Sequence, residues 1–202
     1  MAAIGLFPLG VALLPSEVMP LHIFEGRYRE LIEECISGPA PFGLLYADEA
    51  GMRSVGTEAR VAQVLERFDD GRLNIAVLGT ERFQVVRLTE GRSFATAEVQ
   101  PWTDEQDAGP GPPLEASVAA ADRIAAASEV GGEADLAGAR SAFELAARIQ
   151  LPEEVRQELI EMRSEPERLM RLQALLESFA SVLERRNEVR RKAAGNGQAD
   201  LS

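Results

Sequence analysis

The stretch LPSEVMPLHIFEGRYRELIEECI, residues 14–36, decides the fold because the spacing of its apolar residues changes within it. Residues 18–24 are mostly aliphatic or aromatic, which predicts a strand, and Pro20 places that strand at a sheet edge or a bulge. From residue 28 the apolar side chains recur at the spacing of one helix face, namely Tyr28, Leu31, Ile32, Cys35 and Ile36. The stretch therefore predicts a strand that passes directly into a helix.

The two sides of the predicted strand differ in character. Successive side chains of a strand point to opposite faces, so Met19, Leu21 and Ile23 share one side and Pro20, His22 and Phe24 share the other. The first side is purely apolar and is predicted to face the core. The second holds the only histidine of the chain beside a phenylalanine, which favours a binding surface. Packing of this side against the helical half of the chain is the alternative.

Three residues at the junction between strand and helix extend this candidate face. Glu25 precedes the helix, where a carboxylate is stabilised by unpaired backbone N–H groups, so helix capping is the alternative to a binding role. Arg27 lies off the apolar face and is expected to pair with a nearby carboxylate. Tyr28 lies on the apolar face and is predicted to be buried. The sequence thus predicts a partner-binding face over residues 20–28.

Composition excludes several classes of protein. The chain has 202 residues and a net charge of −12, spread evenly over its two halves, which disfavours nucleic acid as a partner. The basic run RRNEVRRK, residues 185–192, is interpreted as a solvated helix end. One Cys and one His exclude an intrachain disulfide and an ordinary Cys/His zinc site. With no spanning segment and no convincing signal peptide, we expect a cytoplasmic protein without a membrane partner.

The chain divides near residue 103. Residues 1–103 contain short β-rich runs that predict at least six strands and one helix, including a hairpin at Asp69–Gly71. Residues 104–114 are rich in Pro and Gly and predict a linker. Residues 115–192 are rich in Ala, Leu, Glu and Arg and predict a helical subdomain, whereas residues 193–202 predict a disordered tail. The fold class is therefore α+β.

Local signals place the predicted helices of the second half. One helix is predicted to end at Gly131-Gly132, and the next covers residues 135–150. Pro152 is expected at the first position of the following helix. Ser164 and Glu167 form a capping box that opens the last helix.

Sequence signatures of common enzymes are absent. The chain has no phosphate-binding P-loop, no G-x-S-x-G nucleophile motif and no G-x-G-x-x-G motif. His22 and Cys35 could together serve a small-molecule enzyme or sensor, but Cys35 lies on the apolar helix face and is predicted to be inert. We therefore predict no catalytic residue, no metal site and no cofactor.

Three blocks of the chain resemble, in order, the N-terminal domain of Lon proteases, especially the form found in stand-alone Lon-N proteins of bacteria. Together they extend over about residues 4–184. The matching positions are Phe7-Pro8-Leu9, Pro15, Pro20 to Glu25 and Arg27 to Arg29; then Val55-Gly56-Thr57, the Asp-Gly turn, Gly79 and Glu81-Arg82-Phe83; and finally Leu151-Pro152, Gln157, Leu159 and Arg168-Leu169.

The resemblance implies a PUA-like β pseudo-barrel with an inserted helix, followed by a C-terminal α-helical bundle. It implies a binding module that recognises unfolded or extended polypeptides, or a protease or chaperone partner. The ATPase and peptidase modules of full Lon proteases are missing from these 202 residues, so no enzymatic activity is predicted. The alternatives are an RNA-binding PUA-like protein and a small-molecule protein that uses His22. Arg82 joins the candidate binding residues, with a surface ion pair as its alternative role.

Overall fold

The computed structural model describes residues 2–38, 40–105, 111–127, 136 and 138–196. The chain forms two compact units. The first unit comprises residues 1–106 and 150–163, and the second comprises residues 107–149 and 164–202.

The first unit is built on strands and two helices. Its described strands are β1 (Ala2–Leu9), β2 (Val18–Ile23), β3 (Phe42–Asp48), β4 (Gly51–Met52), β5 (Val55–Arg67), β6 (Leu73–Thr89) and β7 (Thr96–Pro101). Its helices are α1 (Gly26–Ser37), which follows β2 directly, and α4 (Glu153–Glu161). The second unit contains α2 (Leu114–Ala127), α3 (Ala142–Ala147) and α5 (Glu165–Asn196).

The strands of the first unit close on themselves into a pseudo-barrel. The order β1-β7-β6-β5-β3 is antiparallel throughout, and β1 then pairs with β3 in parallel, with Leu6 opposite Gly43. Strand β2 lies off this ring and pairs with β6. The mixed α+β pseudo-barrel predicted for the first part of the chain is confirmed.

Strand β6 is one strand of 17 residues, whereas residues 72–80 and 82–88 of the sequence predict two separate strands. Gly79 lies close to the expected interruption, and glycine usually weakens a strand. Cross-strand pairing overrides this signal, because β5 pairs with β6 from Leu73 to Gln84, with three register shifts that bend the ladder. The first half of β6 pairs with β2 and its second half pairs with β7.

Helix α1 covers one face of the sheet formed by β2, β6 and β5. Its buried residues are Tyr28, Leu31 and Ile32, on the face that the sequence predicted. They pack into a cluster that includes Phe7, Phe42, Ile23, Leu73 and Ile75. The helix thereby fixes the position of the strand that precedes it.

Helix α4 belongs to the unit of strands, although its sequence lies within the segment 115–192 that was predicted to be a helical subdomain. Arg156 donates to the backbone oxygen of Ala12 from Nε at 3.0 Å and from Nη2 at 2.9 Å, and it pairs with Glu17. Gln157 Nε2 donates to the oxygen of Val55 at 3.0 Å. These contacts join positions more than 100 residues apart, so no local pattern could indicate them.

The helices in the second half of the chain differ from prediction at several of their ends. Helix α3 has six residues rather than sixteen. It begins at Ala142 because Ser141 caps it by accepting from Glu144 N at 3.2 Å. Ser164 Oγ accepts from Glu167 N at 3.3 Å, as the predicted capping box requires. Pro152 is the residue before α4 rather than its first residue.

Helix α5 continues to Asn196, into the predicted tail. Residues 106–110, 128–135 and 197–202, including the predicted Gly131-Gly132 stop, lie outside the described residues.

Candidate functional site

Strand β2 has one edge bonded to β6 and one edge that no other described strand covers. Gly79 N donates to the oxygen of Glu17 at 2.9 Å, which sets the register of the pair. Hydrogen bonds alternate along an antiparallel ladder, so Met19, Leu21 and Ile23 bond to β6. The backbone groups of Val18, Pro20 and His22 then point to the open edge. This register also explains how a proline fits within the strand, because Pro20 has no N–H to donate.

The exposed side of β2 is the side that the sequence selected. Val18 and Phe24 are each 61% exposed, and Pro20 and His22 are also exposed, while Ile23 is buried and Met19 and Leu21 pack partly against the core. An open cleft of about 550 Å³ lies beside β2. Its lining residues are Pro20, Leu21, His22, Leu65, Glu66 and Asn74.

His22 is the centre of the polar contacts in this cleft. Its Nδ1 lies 2.6 Å from Asn74 Oδ1, and Asn74 Nδ2 donates to Glu66 Oε2 at 2.9 Å. The imidazole ring stacks on Phe24 with centroids 5.9 Å apart, and Phe68 meets it edge-on at 6.1 Å. The face therefore combines an ordered imidazole with two aromatic rings.

The three junction residues do not line the cleft, and their contacts lie at the start of α1. Glu25 is the N-cap residue of α1, but its side chain makes no capping bond. Its carboxylate instead accepts from Arg27 Nε at 2.9 Å, so the expected ion pair of Arg27 forms, whereas the alternative of a side-chain cap by Glu25 does not. Tyr28 is buried beside Phe7, with centroids 4.1 Å apart, and burial raises the pKa of its phenol.

Arg82 is not part of this face. It is buried, and its Nη1 donates to the oxygens of Ile160, at 2.8 Å, and Met162, at 2.5 Å. Its Nη2 pairs with Asp104. The expected ion pair therefore forms between a buried arginine and a partly exposed Asp104, and the bonds of Arg82 hold the end of the α4 segment against β6.

Cys35 and His22 lie at different places in the first unit. Cys35 lines a second cleft of about 450 Å³ that shares no lining residue with the cleft at His22. Burial, reinforced by the neighbouring charge of Glu34, raises the pKa of the Cys35 thiol to about 11. The geometry therefore does not support a joint His22–Cys35 centre.

The raised pKa of Cys35 predicts slow reaction with thiol reagents. A thiol with a pKa near 11 is about 0.1% thiolate at pH 8, against roughly a quarter for a free cysteine, and only the thiolate attacks. We expect a disulfide reagent such as DTNB to modify the folded protein at least about 10 times more slowly than free cysteine at pH 8, because the greater nucleophilicity of a high-pKa thiolate offsets only part of its low abundance. Unfolding in urea should restore an ordinary rate. A folded-state rate equal to that of free cysteine would contradict the assignment.

Several residues of the cleft escaped sequence reasoning. Leu65, Glu66, Phe68 and Asn74 come from the β5–β6 hairpin, whose Asp-Gly turn was recognised. Their meeting with His22 depends on the register between β6 and β2, in which His22 lies opposite Asn74. The sequence itself offers no signal for this contact, because the 51% exposure of Leu65 is seen only in the structure.

Two further observations concern metal binding and membrane spanning by the described residues. Nowhere in them do three or more His, Cys, Asp or Glu side chains come together in a way that could hold a metal ion. None of their helices combines the length and the apolarity needed to cross a membrane.

Comparison with known proteins places this geometry in context. The family model described as the ATP-dependent protease La (LON) substrate-binding domain matches residues 3–178. A Lon protease of Paraburkholderia phytofirmans is 24% identical over an alignment of 202 residues, and the alignment covers 91% of this chain but only 25% of that protein. The chain thus spans a quarter of the length of this relative.

Two solved structures share the fold. The crystal structure of a Lon N-terminal domain protein from Xanthomonas campestris has a TM-score of 0.65 and 26% identity, and the match covers 86% of this chain and 98% of that one. The N-terminal domain of a Mycobacterium avium complex Lon protease has a TM-score of 0.61 and 17% identity, covering 89% and 98%. The second likeness concerns the fold alone.

Proposed function

The chain belongs to the family of the Lon substrate-binding domain, and on this basis we propose that it binds extended or unfolded polypeptide segments along strand β2. The observation that carries the proposal is the open edge of β2 beside an exposed row of apolar and aromatic side chains. A folded protease or chaperone partner that presents an extended segment would use the same edge.

Strand addition accounts for the chemistry of this surface. An extended segment placed beside β2 would bond to the outward backbone groups of Val18, Pro20 and His22, which gives affinity without regard to sequence. Alternate side chains of the segment would then contact Phe24 and the cleft lined by Leu65 and His22, and these contacts give the site a preference among peptide sequences. Helix α1 supports the strand from the opposite face, so the edge is ordered before a ligand arrives.

The proposed role is binding without a chemical reaction. Phe24 and Phe68 surround His22, and the only described cysteine lies in another cleft with its thiol protonated at neutral pH. His22 therefore has no nucleophile to activate within the cleft, and it serves here as a contact residue.

The proposal is tested with a permanently unfolded protein as the probe. Fluorescently labelled, reduced and carboxymethylated α-lactalbumin should bind saturably in an anisotropy titration. The double substitution His22→Ala and Phe24→Ala should weaken binding by about tenfold or more, because it removes the stacked rings that a bound segment would cover.

A matched control comes from another exposed part of the same unit. Val86 and Leu88 on β6 are 48% and 54% exposed and lie outside the segment of β6 that pairs with β2. Their double substitution to Ala should leave the affinity unchanged. Absence of saturable binding by the unaltered protein, or an equal loss in both double variants, would refute the proposed site.

A further inference from the structure

We infer that the cleft beside β2 selects polypeptide segments in which a lysine or arginine stands next to apolar residues. This inference rests on the proposed function and names the class of segment that the site prefers. It is carried by the polar atoms that the cleft presents, by the apolar surface between them and by the distribution of charge around them.

The contacts of Asn74 fix the proton of His22. Asn74 Nδ2 lies 2.9 Å from the carboxylate of Glu66, so this atom must be the amide nitrogen, because an amide oxygen there would repel the carboxylate. The amide oxygen therefore faces His22 Nδ1 at 2.6 Å and accepts its proton. Neutral imidazole carries only one proton, so His22 Nε2 is left as a hydrogen-bond acceptor.

The Glu66 carboxylate and the Pro20 carbonyl add further acceptors to the cleft. The Glu66 carboxylate has four acceptor positions and uses one for Asn74. Pro20 contributes a carbonyl but no N–H to the open edge. Asn74 Oδ1 accepts from His22 and one N–H of Nδ2 bonds Glu66, so a single amide N–H of Asn74 remains as a donor beside these acceptors. A ligand group that donates several hydrogen bonds is therefore favoured over one that only accepts them.

Charge around the cleft favours a cation. Glu66 is exposed, and its only contact among the described residues is with the neutral Asn74. The two arginines of hairpin residues 65–74 are already paired: Arg72 lies against Phe68 and bonds Asp70 Oδ2 at 2.7 Å, and Arg67 bonds Glu33 at 2.5 Å. An incoming ammonium or guanidinium group would meet an uncompensated carboxylate, whereas an incoming carboxylate would meet a like charge.

Apolar surface beside Glu66 suits the stem of such a side chain. Leu65 and Pro20 line the same cleft, and the methylene chains of lysine and arginine cover apolar surface while their charged ends reach a polar group. An extended segment with alternating apolar residues would place its other side chains on Val18 and Phe24. The segment therefore needs both features, a cationic residue and apolar neighbours.

Three synthetic peptides test the inference. All are capped at both ends and share one alternating apolar host sequence, with lysine, norleucine or glutamate at the centre. In titrations at low salt we expect the lysine peptide to bind about tenfold more tightly than the glutamate peptide, with norleucine between them. In the Glu66→Gln variant, which keeps an oxygen for Asn74 and loses the charge, the three affinities should converge. The Glu49→Gln variant, at an exposed carboxylate in the β3–β4 turn, should retain the order.

The outcomes separate this inference from the proposed function. Equal binding of the three peptides to the unaltered protein, or an order that persists in Glu66→Gln, would overturn the inference while leaving polypeptide binding in place. Failure of all three peptides and of the unfolded probe to bind would refute the proposed function, and the inference with it.

Discussion

Arg156→Ala should destabilise the first unit by about 3 kcal/mol, because it removes one partner from a buried ionic network. The Arg156 side chain is 8% exposed, and its guanidinium bonds the oxygen of Ala12 twice while pairing with Glu17, which is itself only 15% exposed. The substitution leaves the Glu17 carboxylate and a backbone carbonyl without their charged partner. Urea denaturation followed by circular dichroism measures the change in the free energy of unfolding.

The comparison variant is Arg87→Ala, in which the lost ion pair is exposed. Arg87 is 67% exposed and bonds Glu98 at 2.5 Å. Pairs of this kind contribute less than about 1 kcal/mol, so the variant should unfold almost as the unaltered protein does. If Arg156→Ala also costs less than about 1 kcal/mol, the apolar contacts of Leu159 and Ile160 hold α4 in place, and the network does not.

Local structure around the candidate face could be predicted from the sequence. The alternation of Pro20, His22 and Phe24 with Met19, Leu21 and Ile23 depends only on the geometry of a strand, and the structure shows the same two sides. The apolar face of α1 follows in the same way from helical spacing. Both patterns relate residues that are only a few positions apart, and such local spacing can be read directly from a sequence.

Contacts between distant segments could not be predicted. Asn74 meets His22 across 52 positions because of one strand register, and a register shifted by two residues would keep the same side chains facing the core. Helix α4 looks amphipathic whichever unit it packs against, so its sequence did not show that Arg156 bonds Ala12 across 144 positions. At Glu25 the position before the helix was predicted, but its carboxylate pairs with Arg27 and makes no bond to a backbone N–H of the first turn.

Gly79→Ala should cost about 2–3 kcal/mol, because a Cβ atom has no room at this position. It would lie 2.3 Å from the oxygen of Leu14 and 3.0 Å from Leu13 Cγ, and both of these leucines are fully buried. Gly79 also accepts from Ser16 N and donates to Glu17 O, each at 2.9 Å, just before β2 begins. Relief of the clash therefore requires movement of the segment that leads into β2.

The same substitution should weaken binding of the unfolded probe by about tenfold, although Gly79 contributes no side chain to the face. The control is Gly10→Ala, where a Cβ atom would meet only the oxygen of Ala47, at 4.0 Å, and both stability and affinity should be retained. Urea denaturation and the anisotropy titration measure the two effects on the same samples. A Gly79→Ala protein that loses stability but binds normally would show that residues 13–17 give way without moving β2, and that the contacts of β2 with β6 and α1 suffice to hold its open edge.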